Sequence, residues 1–97
     1  MTKAEQSHLN RVANIGCIVC RIYLNVFSPC HIHHIRHGMG MGQRNSNYNV
    51  IGLCPPHHQT GGHGVAFHAG KEAFEENFGT ELELQERLNE LLAVGVL

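Results

Sequence analysis

Cys17-Ile18-Val19-Cys20 and Cys54-Pro55-Pro56-His57 each set two soft metal ligands either side of a two-residue gap, so that one backbone turn aims both side chains at one ion. In a chain of 97 residues this pairing constrains the fold more than any helical or strand periodicity. A domain of that size has a thin core, and such chains commonly add a structural metal or disulfides. The spacing predicts a structural zinc on Cys17, Cys20, Cys54 and His57, knitting two turns of one domain that spans residues 1–97. Cys30 is left over: it either replaces His57 as fourth ligand or sits buried as a free thiol, and the thiol is the favoured reading.

Compartment and charge support ligands over disulfides. The opening MTKAEQSHLNRVAN has no apolar run, and no later stretch is long enough to span a membrane. The expectation is a cytoplasmic, reducing setting with no membrane partner, where clustered Cys and His act as metal ligands. The net charge of −1 hides a split: Lys3, Arg11, Arg21, Arg36 and Arg44 face only Glu5 up to residue 68, whereas every other acid lies in the C-terminal third. A mildly cationic front suits a polyanionic partner such as DNA, with Arg36 and Arg44 as candidate phosphate contacts flanking a Gly-rich loop. Aspartate is absent, and no glutamate lies between Glu5 and Glu72. A metal site built within the histidine-rich stretch must therefore use nitrogen and sulfur; hard cations prefer oxygen, so the composition argues for zinc, at least as the structural ion.

Local patterning predicts an α+β fold. Thr2-x-x-Glu5 is a capping box for a helix over Lys3–Asn14, closed near Gly16. Ile22–Leu24 and Val26–Phe27 read as short extended segments. Cys30–Ile35 and Val50–Leu53 read as two strands separated by the loop GMGMGQRNSNYN, with Ile32 on the face opposite His31 and His33. Pro55 and Pro56 fit the first turn of a short helix that Thr60-Gly61-Gly62 ends. A helix over Ala69–Phe78 stops at Gly79, and Thr80-x-x-Glu83 caps a last helix whose Leu84, Leu88, Leu91 and Leu92 form a core-facing stripe.

The remaining histidines suggest chemistry. A metal-assisted phosphodiesterase needs a general base for water, a metal beside the phosphate and leaving oxygens, and a group that orients the base. His33-His34 on a strand, Asn49 between the strands and His58 on the short helix offer those roles in order. Adjacent strand residues point opposite ways, so His33 and His34 share a site only if the strand bends or ends there.

The order CxxC, HHI, NxxxLCxxHH resembles the HNH (ββα-metal, His-Me finger) endonucleases. More narrowly, GCIVC, SPCHIHHI, LCPPHHQTGG and GVAFHAGKEAFEENFGTELEL resemble the bacteriophage recombination-enhancement (Ref-type), RecA-dependent nucleases, over residues 15–92. The resemblance implies a small zinc-stabilised ββα-metal fold with a short hairpin, an N-terminal helix and two C-terminal helices. It makes His33 and His58 catalytic metal ligands, His34 the base that activates water, and Asn49 the residue holding the loop or the base. A third ligand falls to His63 or His68, and His68 is favoured because its surroundings are the most Ref-like. The implied activity is metal-dependent DNA cleavage in phage or prophage recombination, with Zn, Mg or Mn at the active site and a RecA-type filament as a partner. The rival readings are a non-catalytic zinc module that binds DNA or protein, and, more remotely, a metal carrier.

Overall fold

The computed structural model describes residues 1–95. Helix α1 (Lys3–Ile15) starts at the expected capping box: Thr2 Oγ1 accepts the Glu5 N–H, and Glu5 Oε1 accepts the Thr2 N–H. It ends at Gly16, whose φ of 79° suits glycine. A side chain there would also strike the Ser28 carbonyl and the Phe27 ring. The Ser28 carbonyl instead accepts the Cys17 N–H at 2.9 Å, fastening the segment 17–28 at its base.

The extended reading of Ile22–Leu24 is corrected. Cys20–Leu24 forms a wide helical turn, with the Arg21 N–H on the Cys17 carbonyl and the Val26 N–H on the Cys20 carbonyl. Asn25 closes it in the left-handed region at φ 53°, a conformation Asn tolerates better than most residues. Bringing Cys17 and Cys20 to one side requires a helical bend, and that bend carries Ile22–Leu24 with it despite their β-prone side chains. Val26 and Phe27 lie in irregular chain.

Strands β1 (His31–His34) and β2 (Val50–Leu53) pair antiparallel, with His31 opposite Leu53 and His34 opposite Val50. All of β2 is buried, as is Ile35 just past β1. Gly52 permits the close packing: a Cβ there would run into the Gly16 carbonyl and lie 2.7 Å from Cys30 Sγ. Pro56–Thr60 form the expected short helical turn, ended at Gly61. A single tight turn, Phe67–Ala69, precedes helix α2 (Lys71–Phe78), so α2 begins two residues later than the sequence suggested. Helix α3 (Glu81–Val94) has its own capping box from Thr80 and Glu83. Val12, Ile15, Ile18, Ile51, Leu53, Phe74, Leu84 and Leu88 make the core, joining α1, the hairpin and both C-terminal helices. The architecture is a small α+β arrangement of a two-stranded hairpin and helices. No helix among the described residues is long and apolar enough to cross a membrane.

Candidate functional site

The turn after Gly16 and the turn after β2 bring Cys17, Cys20, Cys54 and His57 together. Cys20 Sγ lies 3.8 Å from Cys54 Sγ, and His57 Nδ1 lies 3.6, 3.7 and 3.1 Å from the sulfurs of Cys17, Cys20 and Cys54. Tetrahedral coordination at ordinary Zn–S and Zn–N lengths puts ligand atoms about 3.6–3.8 Å apart. The four donors therefore fit one tetrahedral metal ion. Burial pushes the Cys17 thiol up to about 12 and raises the Cys54 thiol as well. A bare thiolate cluster here is costly, and a cation would relieve it. Cys30 stands outside this group, half-buried, its sulfur close to Gly52.

A second cluster is made only of imidazoles. His33 comes from β1, His58 from the proline-initiated turn and His68 from the tight turn before α2. His58 Nε2 lies 3.3 Å from His33 Nδ1 and 3.0 Å from His68 Nε2. Three ring nitrogens converging in this way suit a divalent metal with open positions left for other ligands. Burial, and then the neighbouring His33, His68 and His31, hold His58 down to about 4. His68 is lowered for the same first reason. Both are neutral at physiological pH, the form that ligates. His63 is exposed and packs beside Gly70, outside the cluster. His31 lends its Nδ1 to the other side of His58, 3.1 Å from His58 Nδ1, which turns Nε2 toward the cluster.

His33 is buried at 3% exposure and its far nitrogen meets a carboxylate: His33 Nε2 lies 2.7 Å from Glu81 Oε2. Glu81, the first residue of α3, is 1% exposed and also accepts the backbone N–H groups of Arg36 and His37. Burial alone would raise its pKa, but the hydrogen bonds from His33 and Arg36 outweigh this and hold it below the usual carboxylate range. Sequence reading missed Glu81, because it stands 48 residues from His33 and looks like an ordinary first-turn glutamate.

His34, next along the strand, faces other company. Its Nε2 lies 2.9 Å from Asn47 Oδ1 and 3.1–3.2 Å from Nη2 and Nε of Arg44. Arginine only donates, so those two contacts need a bare Nε2; a proton there would instead be donated to Asn47. Asn47 is fixed in turn by its Nδ2, which donates to Glu5 Oε2 at 2.9 Å. Asn49 has different partners: its side chain donates to Asn45 and accepts from Gln85. Arg36 spends its guanidinium on the carbonyls of Gly40 and Gln43, closing the Gly-rich loop.

A thiolate–imidazole cluster and a separate imidazole cluster, set on a hairpin and its flanking helices, define a small α+β protein with two candidate metal centres. The chain belongs to the recombination-enhancement, RecA-dependent nuclease family, whose model matches residues 1–93. Membership gives the chain a nuclease role, with DNA as the substrate class and a link to RecA-dependent recombination. No curated protein and no solved structure matches the chain significantly.

Proposed function

We propose that the protein is a metal-dependent DNA endonuclease of the HNH type, acting in phage or prophage recombination in concert with a RecA-type filament. The observation that carries this reading is the convergence of His33, His58 and His68, at 3.0–3.3 Å, in a group separate from the four-ligand thiolate cluster. In this reading a structural zinc on Cys17, Cys20, Cys54 and His57 holds the two turns together. His33, His58 and His68 would hold a catalytic divalent ion (Zn, Mg or Mn), which when bound would supply Lewis-acid stabilisation of the phosphate charge.

The chain's own groups do the rest. His34 is the general base: with Nε2 bare it takes the proton of the attacking water, and a neutral imidazole is suited to that near pH 7. Arg44 sits on the same nitrogen, so a phosphate oxygen drawing the guanidinium away frees the base as substrate arrives. Asn47, rather than Asn49, faces His34: its side-chain oxygen accepts the Nε2–H that forms once the base has taken the proton, and so stabilises the imidazolium. Asn49 serves the loop instead, as the alternative half of its expected role allows. Arg36 contributes to DNA binding by shaping that loop, and its cationic charge adds to that of Arg44. Attack on phosphorus with loss of the 3′-oxygen leaves a 5′-phosphate and a 3′-hydroxyl.

The test is cleavage of DNA by purified protein under Mg²⁺, Mn²⁺ or Zn²⁺, with and without a recombinase filament on single-stranded DNA. His34→Ala is expected to lower the rate by about 10²–10⁴-fold, the usual contribution of a general base, while fold and bound metal stay unchanged. Wild-type protein that retains metal yet never nicks DNA in any of these conditions establishes the non-catalytic zinc module in its place.

A further inference from the structure

Helix α3 does not need Glu81. Thr80 and Glu83 already form its capping box, and a glutamate at the first helical position normally lies in water. Here it is almost completely buried, an expensive place for a carboxylate unless donors surround it. Three do. Oε2 faces His33 Nε2 and the Arg36 N–H, both at 2.7 Å, and Oε1 faces the His37 N–H at 3.1 Å. These groups belong to β1 and the residues just after it, so one side chain ties the start of α3 to the exit of the histidine-bearing strand.

We propose that Glu81 is the positioning residue of the imidazole cluster: it holds the proton of His33 on Nε2, locks the ring plane, and so presents Nδ1 as a ready metal ligand. The inference rests on reading that cluster as a metal site. A carboxylate whose oxygens already receive backbone N–H groups accepts from the ring nitrogen facing it, which therefore carries the hydrogen. The lone pair of the neutral ring is then on Nδ1, the atom 3.3 Å from His58 Nε2. Ligating histidines characteristically give their second N–H to a carboxylate or carbonyl, which fixes the tautomer and strengthens the ligand. Phe67 packs edge-on against the His33 ring with centroids 4.6 Å apart, so ring rotation is blocked from that side as well. His58 has its own orienting partner in exposed His31; only His33 has one that is buried and charged.

The experiment uses the full chain with its thiolate site loaded with zinc and the imidazole site empty. Long-range ¹H–¹⁵N NMR reads the His33 tautomer directly, and titration with Co²⁺ or Zn²⁺ then reads affinity at the imidazole site. Wild type is expected to show His33 as the single Nε2–H tautomer. Glu81→Ala is expected to show mixed tautomers and about 10–100-fold weaker binding at that site, with the zinc of the thiolate site retained. Glu81→Gln keeps one acceptor oxygen and falls between the two. A role confined to the Arg36 and His37 amides would lower thermal stability without moving the tautomer or the affinity, and that result overturns the proposal. Should Glu81→Ala fail to fold, the wild-type tautomer and the Gln variant decide: an Nδ1–H tautomer, or unchanged affinity in Glu81→Gln, overturns it equally. Wild-type protein that takes up no metal beyond the thiolate site refutes the metal reading itself, and this inference falls with it.

Discussion

Asn47 and Asn49 lie two positions apart on the same loop, and their side chains take different partners. Asn47 is pinned by Glu5 on one side and touches His34 on the other, whereas Asn49 bonds Asn45 and Gln85. With His34 as the base, the oxygen that receives its Nε2–H after proton transfer belongs to Asn47. Asn47→Ala is therefore expected to reduce DNA cleavage by about 10-fold or more, with thermal stability and metal content little changed. Asn49→Ala is expected to cost about 1 kcal/mol of stability through its lost hydrogen bonds and to leave the cleavage rate of the folded protein near wild type. Equal loss of activity in the two variants would remove Asn47 from this role. At the residue scale the grouping of Cys17 and Cys20 with Cys54 and His57 was legible, because a two-residue gap is a local rule, whereas His33, His58 and His68 were singled out through the resemblance and not by any spacing. Glu81 and Asn47 were not legible. Their parts depend on which distant elements pack together, and no spacing within the chain encodes that.

Elements were readable where the chain states its own boundary. Both capping boxes form as expected, since Thr2 with Glu5 and Thr80 with Glu83 satisfy helix-end donors by themselves. The proline-led turn and the stops at Gly16 and Gly79 follow equally local chemistry. Cys20–Leu24 failed for the opposite reason: Ile22, Tyr23 and Leu24 favour strand, yet converging ligands and the Cys17 carbonyl impose a helical bend. Tertiary demand overrides β-propensity here. Caps can also be separated from the site they adjoin. Thr80→Ala removes the acceptor for the Glu83 N–H and is expected to cost about 1 kcal/mol, seen as a lower Tm. Glu81 keeps its three partners in that variant, so metal affinity at the imidazole cluster should not move. A Thr80→Ala protein with intact stability but weakened binding at that cluster would show that α3 is positioned by its cap rather than by Glu81.

Across the whole molecule, the two clusters differ in what metal binding must displace. A thiol has an ordinary pKa of about 8.5, and only the thiolate ligates. In this fold burial carries Cys17 to about 12 and raises Cys54, so both enter the site protonated at neutral pH. His57 is lowered by burial and has no proton to lose there. Filling the thiolate cluster at pH 7.5 should therefore release at least two protons per ion, from Cys17 and Cys54. The same count holds if metal-free chain unfolds, because exposed thiols are also mostly protonated at that pH. Affinity must then rise with pH, and acid must strip this site as protons compete for sulfur. The imidazole cluster behaves differently. His58, held down to about 4, and His68, also lowered, are uncharged at pH 7.5 and each has a ring nitrogen free of hydrogen. Those two ligands should therefore release no proton when that site is loaded above neutrality. Calorimetric zinc titrations in buffers of different ionisation enthalpy separate the two events: a first equivalent with at least two protons released, from Cys17 and Cys54, and a second to which His58 and His68 contribute none. A first equivalent that releases none would mean that zinc is not taken up by the cysteines, and the scaffold role of Cys17, Cys20, Cys54 and His57 would fail with it.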